Sequence, residues 1–382
     1  MSMRTFLAWQ NLVHEKNRLL VAIAGIAFAV MIMFMNLGFL GALSTAAAQF
    51  YEGMNGDIFL VSTKTIEIST SVTFPIDYLY RAAGLAGVQR IMPLYVGFLQ
   101  WRNVETQQKR ALFVYGVNVD DPIFSIDGYE DPVNRAALRG INTVLFDRQS
   151  RPEFGPQELG LVTEAAERRV TIVGFYNLGG GFTADGTLMM SDQNFRRFFS
   201  PRPLNSIDLG LIQLQPGTDP LPIMAELRKI LPNDIDIFTR QGIAERDRDY
   251  WINTTSIGFI FSLGVIVAGI VGVVIVYQIL YTDISDHLKQ YATLKAMGYS
   301  NFFLCQVVLQ EALILSVLGY IPGAVLAFIF YQITLNATSG TLPVGMTLSR
   351  LVLVFALSIG MCSLSGLVSL QKVMRADPAQ VF

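Results

Sequence analysis

The sequence predicts an α-helical membrane protein with four transmembrane helices, arranged 1+3 around a large α+β outer domain. Four long stretches free of Asp, Glu, Lys and Arg predict these spans. These stretches lie between Arg18 and Glu52, Asp249 and Asp283, Glu311 and Arg350, and Arg350 and Lys372. All are long enough for the roughly 20 apolar residues that a helix needs to cross a bilayer. The long polar-rich segment 52–249 separates the first span from the other three.

The distribution of basic residues predicts the orientation in the membrane. Arg4, Lys16 and Arg18 precede the first span, and Lys372 and Arg375 follow the last, whereas segment 332–349 contains no Lys or Arg. Cytoplasmic loops are enriched in Lys and Arg. Both termini are therefore predicted to be cytoplasmic and the large domain to lie outside. The net charge of −2 argues against a nucleic-acid partner.

The first span is predicted at 19–43, after a cytoplasmic amphipathic helix at 1–18. Phe6, Trp9 and Leu12 recur at helical spacing, which is typical of a helix lying on the inner leaflet. A span that simply begins early is the alternative. A cleaved signal peptide is another, because Ala46 to Ala48 resemble a cleavage site. However, the apolar stretch of about 25 residues exceeds the roughly 7–15 of a signal peptide and favours a retained span.

The remaining spans are predicted at 257–281, 304–331 and 348–370, with an outer loop at 332–347 and a cytoplasmic tail at 371–382. Pro322 is expected to kink the third span, where neighbouring helices can satisfy the freed carbonyl. Gly319 and Gly323 on the same helix predict close contact with another helix.

Glu311 is the one acidic residue inside a predicted span. An intramembrane carboxylate is a candidate functional group. The alternative is that Glu311 lies near the cytoplasmic face and pairs with a basic residue there. The sequence shows no proton relay, since no predicted span holds a second acid or a histidine.

The outer domain, 44–256, is predicted to be α+β with two subdomains. Residue patterns predict helices at 75–83 and 221–230 and strands at 57–62, 90–101, 109–117, 169–175, 206–214 and 234–238. The segment at about 120–205, rich in Pro and Gly, is predicted to be a subdomain inserted into the first. The domain has no cysteine, so packing rather than disulfides must stabilise it.

The sequence lacks the motifs of a nucleotide-binding or hydrolytic enzyme. The glycines at 179–181 are not followed by the Gly-Lys pair of a phosphate-binding loop, and no such pair occurs anywhere in the chain. They are predicted to form a mobile loop. The only histidines are His14 and His287, with no cysteine near either, so no metal site is predicted.

The cytoplasmic link at 282–303 is predicted to form a docking helix. Leu288, Tyr291, Ala292 and Lys295 share one helical face, and Gly298 is a typical helix-ending residue. A short helix held at the inner surface between two spans is well placed to contact a cytoplasmic partner.

The run 291–298, Tyr-Ala-Thr-Leu-Lys-Ala-Met-Gly, resembles the signature of FtsX-like permeases, the membrane subunits of MacB- and LolC/LolE-type ABC transporters. The ending 374–379, Met-Arg-Ala-Asp-Pro-Ala, resembles their C-terminal motif, and 170–175 also fits the family. Within it, the chain is most similar to DevC-type permeases, linked to export of cyanobacterial heterocyst glycolipid. Gln290 stands where many members carry an acid, so an ion pair formed by that acid in the family is not carried over to this chain, whereas the implied fold is unaffected.

The resemblance implies a MacB-like permease that is not itself an enzyme and binds no cofactor. It would form a homodimer in the bacterial inner membrane, with a periplasmic domain. A separate ABC ATPase would bind ATP and Mg and contact the coupling residues Tyr291, Leu294, Lys295, Met297 and Gly298. A periplasmic adaptor, with Gly179, Gly180 and Gly181 as a candidate contact, would lead to an outer-membrane duct. ATP-driven movement would export a lipid, such as a glycolipid, from the periplasmic side or outer leaflet.

Two other functions are compatible with parts of the sequence. An FtsX-like mechanical relay would control a periplasmic hydrolase without transporting a substrate. Genes for an adaptor and a duct beside this one would favour export. A membrane-anchored sensor or enzyme would need a catalytic constellation or a soluble signalling domain, and the sequence contains neither.

The predicted topology can be tested with inserted tags. A tag after Ser200 should be accessible to protease from outside intact spheroplasts, whereas tags at the two termini should be protected until the membrane is opened. The basic residues flanking the first and last spans are the physical reason. Cleavage of the C-terminal tag in intact spheroplasts would contradict this topology.

Overall fold

The computed structural model describes residues 16–179, 184–203, 205–287, 289–290, 293, 297–338 and 342–375. The chain divides into two compact units. The helical unit comprises residues 1–41, 256–334 and 344–382, and the sheet domain comprises residues 42–255 and 335–343. The amphipathic helix predicted at 1–18 lies outside the described residues except for its last three.

Four long helices account for the predicted spans: α1 (Lys16–Glu52), α7 (Ser256–Asp286), α8 (Asn301–Ala337) and α9 (Leu348–Arg375). Each is long and apolar enough to cross a membrane. One precedes most of the sheet domain and three follow it, which is the predicted 1+3 order. Helix α8 continues six residues past the predicted end of its span at residue 331.

Glycines on α8 allow close packing against α1. A Cβ atom on Gly323 would lie 2.8 Å from the carbonyl oxygen of Ala27, and one on Gly319 would overlap the side chain of Ile26. Pro322 lies between these two glycines, inside α8. The small residues at 319 and 323 therefore let the backbones of α1 and α8 approach each other.

Polar side chains join the other helices of the unit through backbone carbonyls. The Ser365 hydroxyl of α9 donates to the carbonyl of Val273 on α7 at 2.8 Å. The Tyr320 phenol of α8 donates to the carbonyl of Leu351 on α9 at 3.0 Å. Interhelical hydrogen bonds of this kind contribute roughly 1 kcal/mol in membranes. They fix the register of α7, α8 and α9.

The sheet domain is built on a nine-stranded sheet with the order β11-β1-β10-β3-β4-β8-β5-β7-β6. Its strands are β1 (Ile58–Ser62), β3 (Val88–Arg102), β4 (Lys109–Val117), β5 (Thr143–Asp147), β6 (Val162–Ala165), β7 (Arg168–Tyr176), β8 (Thr187–Ser191), β10 (Leu209–Leu214) and β11 (Ile235–Thr239). A separate pair joins β2 (Phe74–Pro75) to β9 (Ser206–Ile207). The segment predicted as an inserted subdomain thus contributes β5, β6, β7 and β8 to the same sheet as its flanking strands.

Six of the nine strands, in the order β3-β4-β8-β5-β7-β6, form a closed sheet, because the last of them pairs with the first. Strand β6 pairs with the far end of the 15-residue strand β3 through Trp101 and Ala165. The amide of Ala166 also donates to the carbonyl of Gln100 at 2.9 Å. The Trp101 ring packs 5.1 Å from the ring of Phe146, and both side chains are buried. This closure protects β6, which would otherwise be an open sheet edge.

Hydrophobic side chains cover both faces of the sheet. On β1, Ile58 and Leu60 belong to one buried cluster, and Phe59 and Val61 belong to another. Burial on two faces explains why this strand is a continuous apolar run rather than an alternating one. The sheet is therefore held by packing on both sides.

Five short helices border the sheet. They are α2 (Ile76–Ala82), α3 (Pro132–Ala137), α4 (Asp192–Phe198), α5 (Pro220–Ile230) and α6 (Arg240–Asp249). Four of them begin after a capping side chain that accepts a backbone hydrogen bond: Asp131, Ser191, Asp219 and Thr239. Such caps each contribute about 1 kcal/mol and fix where these helices start.

The contact between α1 and α8 can be tested with a matched pair of substitutions. Gly323→Leu should lower the unfolding free energy in detergent by about 1–3 kcal/mol, because it overpacks the contact with Ala27. Gly360→Leu should have little effect, since a Cβ atom at Gly360 has nothing within 4 Å. Equal stability of the two variants in urea unfolding would show that this contact does not hold the helices together.

Candidate functional site

The candidate site is the link between α7 and α8 at one end of the helical unit. Of the five coupling residues predicted from the sequence, Met297 and Gly298 are described, whereas Tyr291, Leu294 and Lys295 lie outside the described residues. We therefore derive the site from the end of α7, the described part of the link and the start of α8.

The last turn of α7 is held by polar contacts. His287 Nδ1 lies 3.0 Å from the carbonyl oxygen of Asp283 and 3.5 Å from its carboxylate, and both side chains are buried. Asp286 forms an ion pair with Arg18 at the start of α1. This pair is partly exposed, with side chains 38% and 45% accessible, so it contributes no more than about 1 kcal/mol. It nevertheless connects α1 to the helix that enters the link.

The start of α8 is anchored by an apolar cluster. Leu304 and Val308 are buried against Ile284 of α7. Ser300 caps the helix, its hydroxyl accepting from the Phe303 amide at 3.3 Å. Gly298 has φ of +91°, a left-handed conformation that suits glycine at the end of a helical segment. The two ends of the link are therefore fixed to α7 and α8.

Met297 and Phe302 present apolar side chains at this end of the unit. Met297 is 63% exposed and Phe302 is 69% exposed. The Met297 amide donates to the carbonyl of Thr293 at 3.0 Å. Exposed apolar side chains on an anchored turn are suited to binding a protein partner. The described residues contain no cluster of three or more His, Cys, Asp or Glu that could hold a metal.

Glu311 lies in α8, ten residues after its first residue, or about 15 Å along the helix axis. Its side chain is fully buried in the helical unit. The neighbouring Ala312 faces Gly366 of α9, where a Cβ atom would lie 3.2 Å away. Glu311 therefore faces the interior of the helical unit rather than the surrounding lipid.

Gly179 marks the start of the glycine triplet, and Gly180 and Gly181 lie outside the described residues. Its amide donates to Asp147 Oδ2 at 2.7 Å. The buried Asp147 carboxylate also accepts from the Thr187 hydroxyl at 2.9 Å and from the amides of Gln149 and Leu178. Burial raises the pKa of Asp147, and these hydrogen bonds oppose that increase. Asp147 thus fixes the chain where the triplet begins.

Two buried carboxylates of the sheet domain had no signal in the sequence analysis. Asp147 closes an apolar strand, and its partners lie up to 40 positions away. Asp247 accepts a hydrogen bond from Tyr51 across 196 positions, at 2.6 Å. The charged run 245–249 gave no sign that one of its members is buried. Neither residue is close to Met297 in the sequence.

Comparisons with known proteins match both parts of the chain. Residues 19–230 match the MacB-like periplasmic core domain, and residues 259–378 match the FtsX-like permease C-terminal region. Two relatives from Mycobacterium tuberculosis, described as uncharacterized ABC transporter permeases, are each 22% identical over 382 residues, covering 99% of this chain and 99% of their own.

Solved structures similar to this chain include two domains from bacterial transporters. The periplasmic region of MacB from Actinobacillus actinomycetemcomitans is 12% identical, with a TM-score of 0.36, and the match covers 51% of this chain and 94% of that one. The extracellular domain of the noncanonic ABC-type transporter YknZ from Gram-positive bacteria is 12% identical, with a TM-score of 0.35, covering 48% and 99%.

The role of Asp147 can be tested by removing its carboxylate. Asp147→Ala removes the acceptor of two buried hydrogen bonds, from the Leu178 amide and the Thr187 hydroxyl, and each buried donor left unpaired costs about 1–3 kcal/mol. We expect the free energy of unfolding to fall by about 2–4 kcal/mol, measured by urea unfolding of the full chain with the buried Trp101 as fluorescent reporter.

Asp185→Ala is the matched control for that measurement. Asp185 pairs with Arg151 at 2.9 Å, but both side chains are 44% exposed, and such pairs contribute about 0–1 kcal/mol. If both alanine variants unfold at the same urea concentration as the parent, Asp147 does not stabilise the region around Gly179.

Proposed function

We propose, from the premise that this chain belongs to the family of proteins with a MacB-like periplasmic core domain, that it is the membrane subunit of a mechanotransmission-type ABC exporter. The chain is a multi-pass permease of the FtsX and MacB type. Permeases of this kind work with an ABC ATPase. In the proposed mechanism, ATP binding and hydrolysis by that partner move the periplasmic domain and thereby drive export.

The observation that carries the proposal is the anchored, apolar turn at Met297. The turn lies between two membrane-spanning helices, each fixed at the link by Ile284, Leu304 and Val308. A force applied to Met297 is therefore transmitted to α7 and α8. The chain contains no Gly-Lys pair, so ATP and Mg would bind the partner subunit.

The proposal assigns the remaining partners as follows. The permease forms a homodimer, with both termini in the cytoplasm. A periplasmic adaptor and an outer-membrane duct complete the export path, and the segment from Gly179 to Gly181 contacts the adaptor. The exported molecule is a lipid, and more specifically a glycolipid. The support for glycolipid is the resemblance to DevC-type permeases within the FtsX-like family, whose signature and C-terminal motif residues 291–298 and 374–379 resemble.

The proposal can be tested at the coupling segment. Leu294→Asp and Met297→Asp should each abolish stimulation of the cognate ATPase by this chain. Either substitution inserts a charge where an apolar contact becomes buried, and apolar anchors near the centre of an interface carry at least about 2 kcal/mol, or about thirtyfold in affinity. Lys295→Ala should reduce binding by no more than about fivefold, as expected for a charge at the rim.

The measurement is ATP hydrolysis and partner recovery for the complex reconstituted in nanodiscs, with equal membrane insertion of each variant as the control. A lipid that copurifies with the parent complex, and is released upon ATP addition, would identify the substrate by mass spectrometry. Normal coupling in both aspartate variants would contradict the assignment of the site. ATP hydrolysis that activates a periplasmic hydrolase, without lipid release, would favour the mechanical relay instead.

A further inference from the structure

Two of the chain connections between the helical unit and the sheet domain, at residues 41–42 and 255–256, differ in structure. Helix α1 runs without interruption from Lys16 to Glu52, so residues up to 41 belong to the helical unit and residues 42–52 belong to the sheet domain. The return connection is interrupted. Helix α6 ends at Asp249 and is followed by a π-helical turn, Tyr250–Thr254.

Thr255 follows this turn in an extended conformation, with φ of −83° and ψ of 151°, before α7 begins at Ser256. A residue at the end of a helical element can absorb a large change in φ and ψ, as hinge residues do. An unbroken helix instead transmits a displacement along its length through its continuous backbone hydrogen bonds. The first connection is therefore suited to carry movement and the second to accommodate it.

Within the sheet domain, α6 is fastened to the last two turns of α1. The Tyr51 hydroxyl donates to Asp247 Oδ2 at 2.6 Å, and both side chains are buried. Arg248 Nε donates to the carbonyl oxygen of Ser44 at 3.3 Å, and its Nη2 lies 3.5 Å from the carboxylate of Glu52. These contacts span residues 44–52 of α1. Helix α6 is thus attached to α1 immediately before the irregular turn.

The Tyr51–Asp247 contact is the buried part of this attachment. Asp247 Oδ1 accepts from Arg246 Nε at 3.1 Å and Nη2 at 2.9 Å, so the carboxylate has a charged partner. Burial raises the pKa values of both the Tyr51 hydroxyl and the Asp247 carboxyl. A hydrogen bond to a charged group in such an environment is stronger than one between neutral groups.

Tyr51 also contacts the centre of the domain. Its ring lies 5.9 Å from the ring of Phe59 in an edge-to-face arrangement. Phe59 belongs to β1, which pairs with β10 on one side and β11 on the other. A displacement of α1 at Tyr51 therefore reaches both α6 and the sheet.

We propose that Tyr51 and Asp247 are positioning residues that make α1 the lever of the periplasmic domain, with Thr255 as the compensating hinge. The proposal rests on the proposed function, in which an ATP-driven change in the helical unit moves this domain. When α1 moves, the Tyr51–Asp247 contact makes α6 and the sheet follow α1. The backbone around Thr255 takes up the resulting mismatch with α7.

The first experiment measures the attachment itself and does not depend on the proposed function. Spin labels are placed at two exposed positions, Thr45 on α1 and Glu245 on α6, in a background with Cys305→Ala and Cys362→Ala. The full chain in nanodiscs should give one narrow distance distribution. Tyr51→Phe and Asp247→Ala should broaden it, whereas Asp247→Asn, which retains an acceptor for the Tyr51 hydroxyl, should remain narrow.

Tyr129→Phe is the matched control. It removes another buried tyrosine hydroxyl of the same domain, one that donates to the carbonyl of Asp121 at 2.9 Å rather than to Asp247. This variant should keep the narrow distribution. An unchanged distribution in Tyr51→Phe and Asp247→Ala overturns the attachment.

The second experiment measures transmission in the unlabelled complex with the ATPase partner. Hydrogen exchange of the sheet domain is compared with and without a nonhydrolysable ATP analogue. Tyr51→Phe and Asp247→Ala should retain partner binding and ATP hydrolysis. Their ATP-dependent difference in hydrogen exchange should be at least fivefold smaller than that of the parent complex. Asp247→Asn and Tyr129→Phe should retain that difference. A purely structural role would lower stability without removing the response in the folded complex.

The two possible failures are distinguishable. If the parent complex shows no ATP-dependent difference in the sheet domain, the proposed function fails, and the lever role fails with it. If the parent responds and Tyr51→Phe and Asp247→Ala respond equally, only the lever role is overturned.

Discussion

Hydrocarbon offers no hydrogen-bond partner to a polypeptide, and the structure of the helical unit depends on this constraint. Every spanning segment must satisfy its own backbone, which leaves helices as the available form for segments of this length. Lipid also provides no strong hydrophobic drive for helices to associate, so their association depends on close packing and on interhelical hydrogen bonds. The glycines at 319 and 323 and the Ser365 hydroxyl supply these two contributions.

The sheet domain lies under the opposite constraint, because water surrounds it and apolar burial must hold it together without a disulfide. In this domain, hydrophobic side chains cover both faces of the sheet. The single strand β1 contributes Ile58 and Leu60 to one cluster and Phe59 and Val61 to the other. The closure of β6 onto β3 at Trp101 removes a free edge. A close-packed interior of this kind has low compressibility and transmits strain.

Local sequence patterns predicted the elements well because local physics determines them. Charge-free stretches predicted the four long helices, and the predicted strands 90–101 and 109–117 correspond to Val88–Arg102 and Lys109–Val117. The match to the MacB-like periplasmic core domain confirms the fold class. The strand order was not accessible, because the pairing of Trp101 with Ala165 depends on tertiary packing between residues far apart in the chain. The segment predicted as an inserted subdomain contributes β5, β6, β7 and β8 to the same sheet as its flanking strands.

The same distinction explains which residues the sequence could indicate and which it could not. Met297 and Gly298 belong to a contiguous signature that can be recognised from their neighbours alone. Tyr51 and Asp247 lie 196 positions apart, and neither has a neighbour that marks it as buried. Tyr250 and Trp251 lie in the π-helical turn that interrupts the return connection. An irregular backbone turn leaves no periodic signal, so only the fold reveals it.

Helix α1 makes one polar contact near its start, with α7, and another near its end, with α6. The two contacts differ in strength. At its start, within the helical unit, Arg18 pairs with Asp286 in a partly exposed ion pair worth at most about 1 kcal/mol. At its end, within the sheet domain, Tyr51 binds the buried Asp247, and losing such a bond costs about 1–3 kcal/mol. The buried contact with Asp247 is therefore the more durable of the two, and in the proposed lever role it is the contact through which the sheet domain would follow α1.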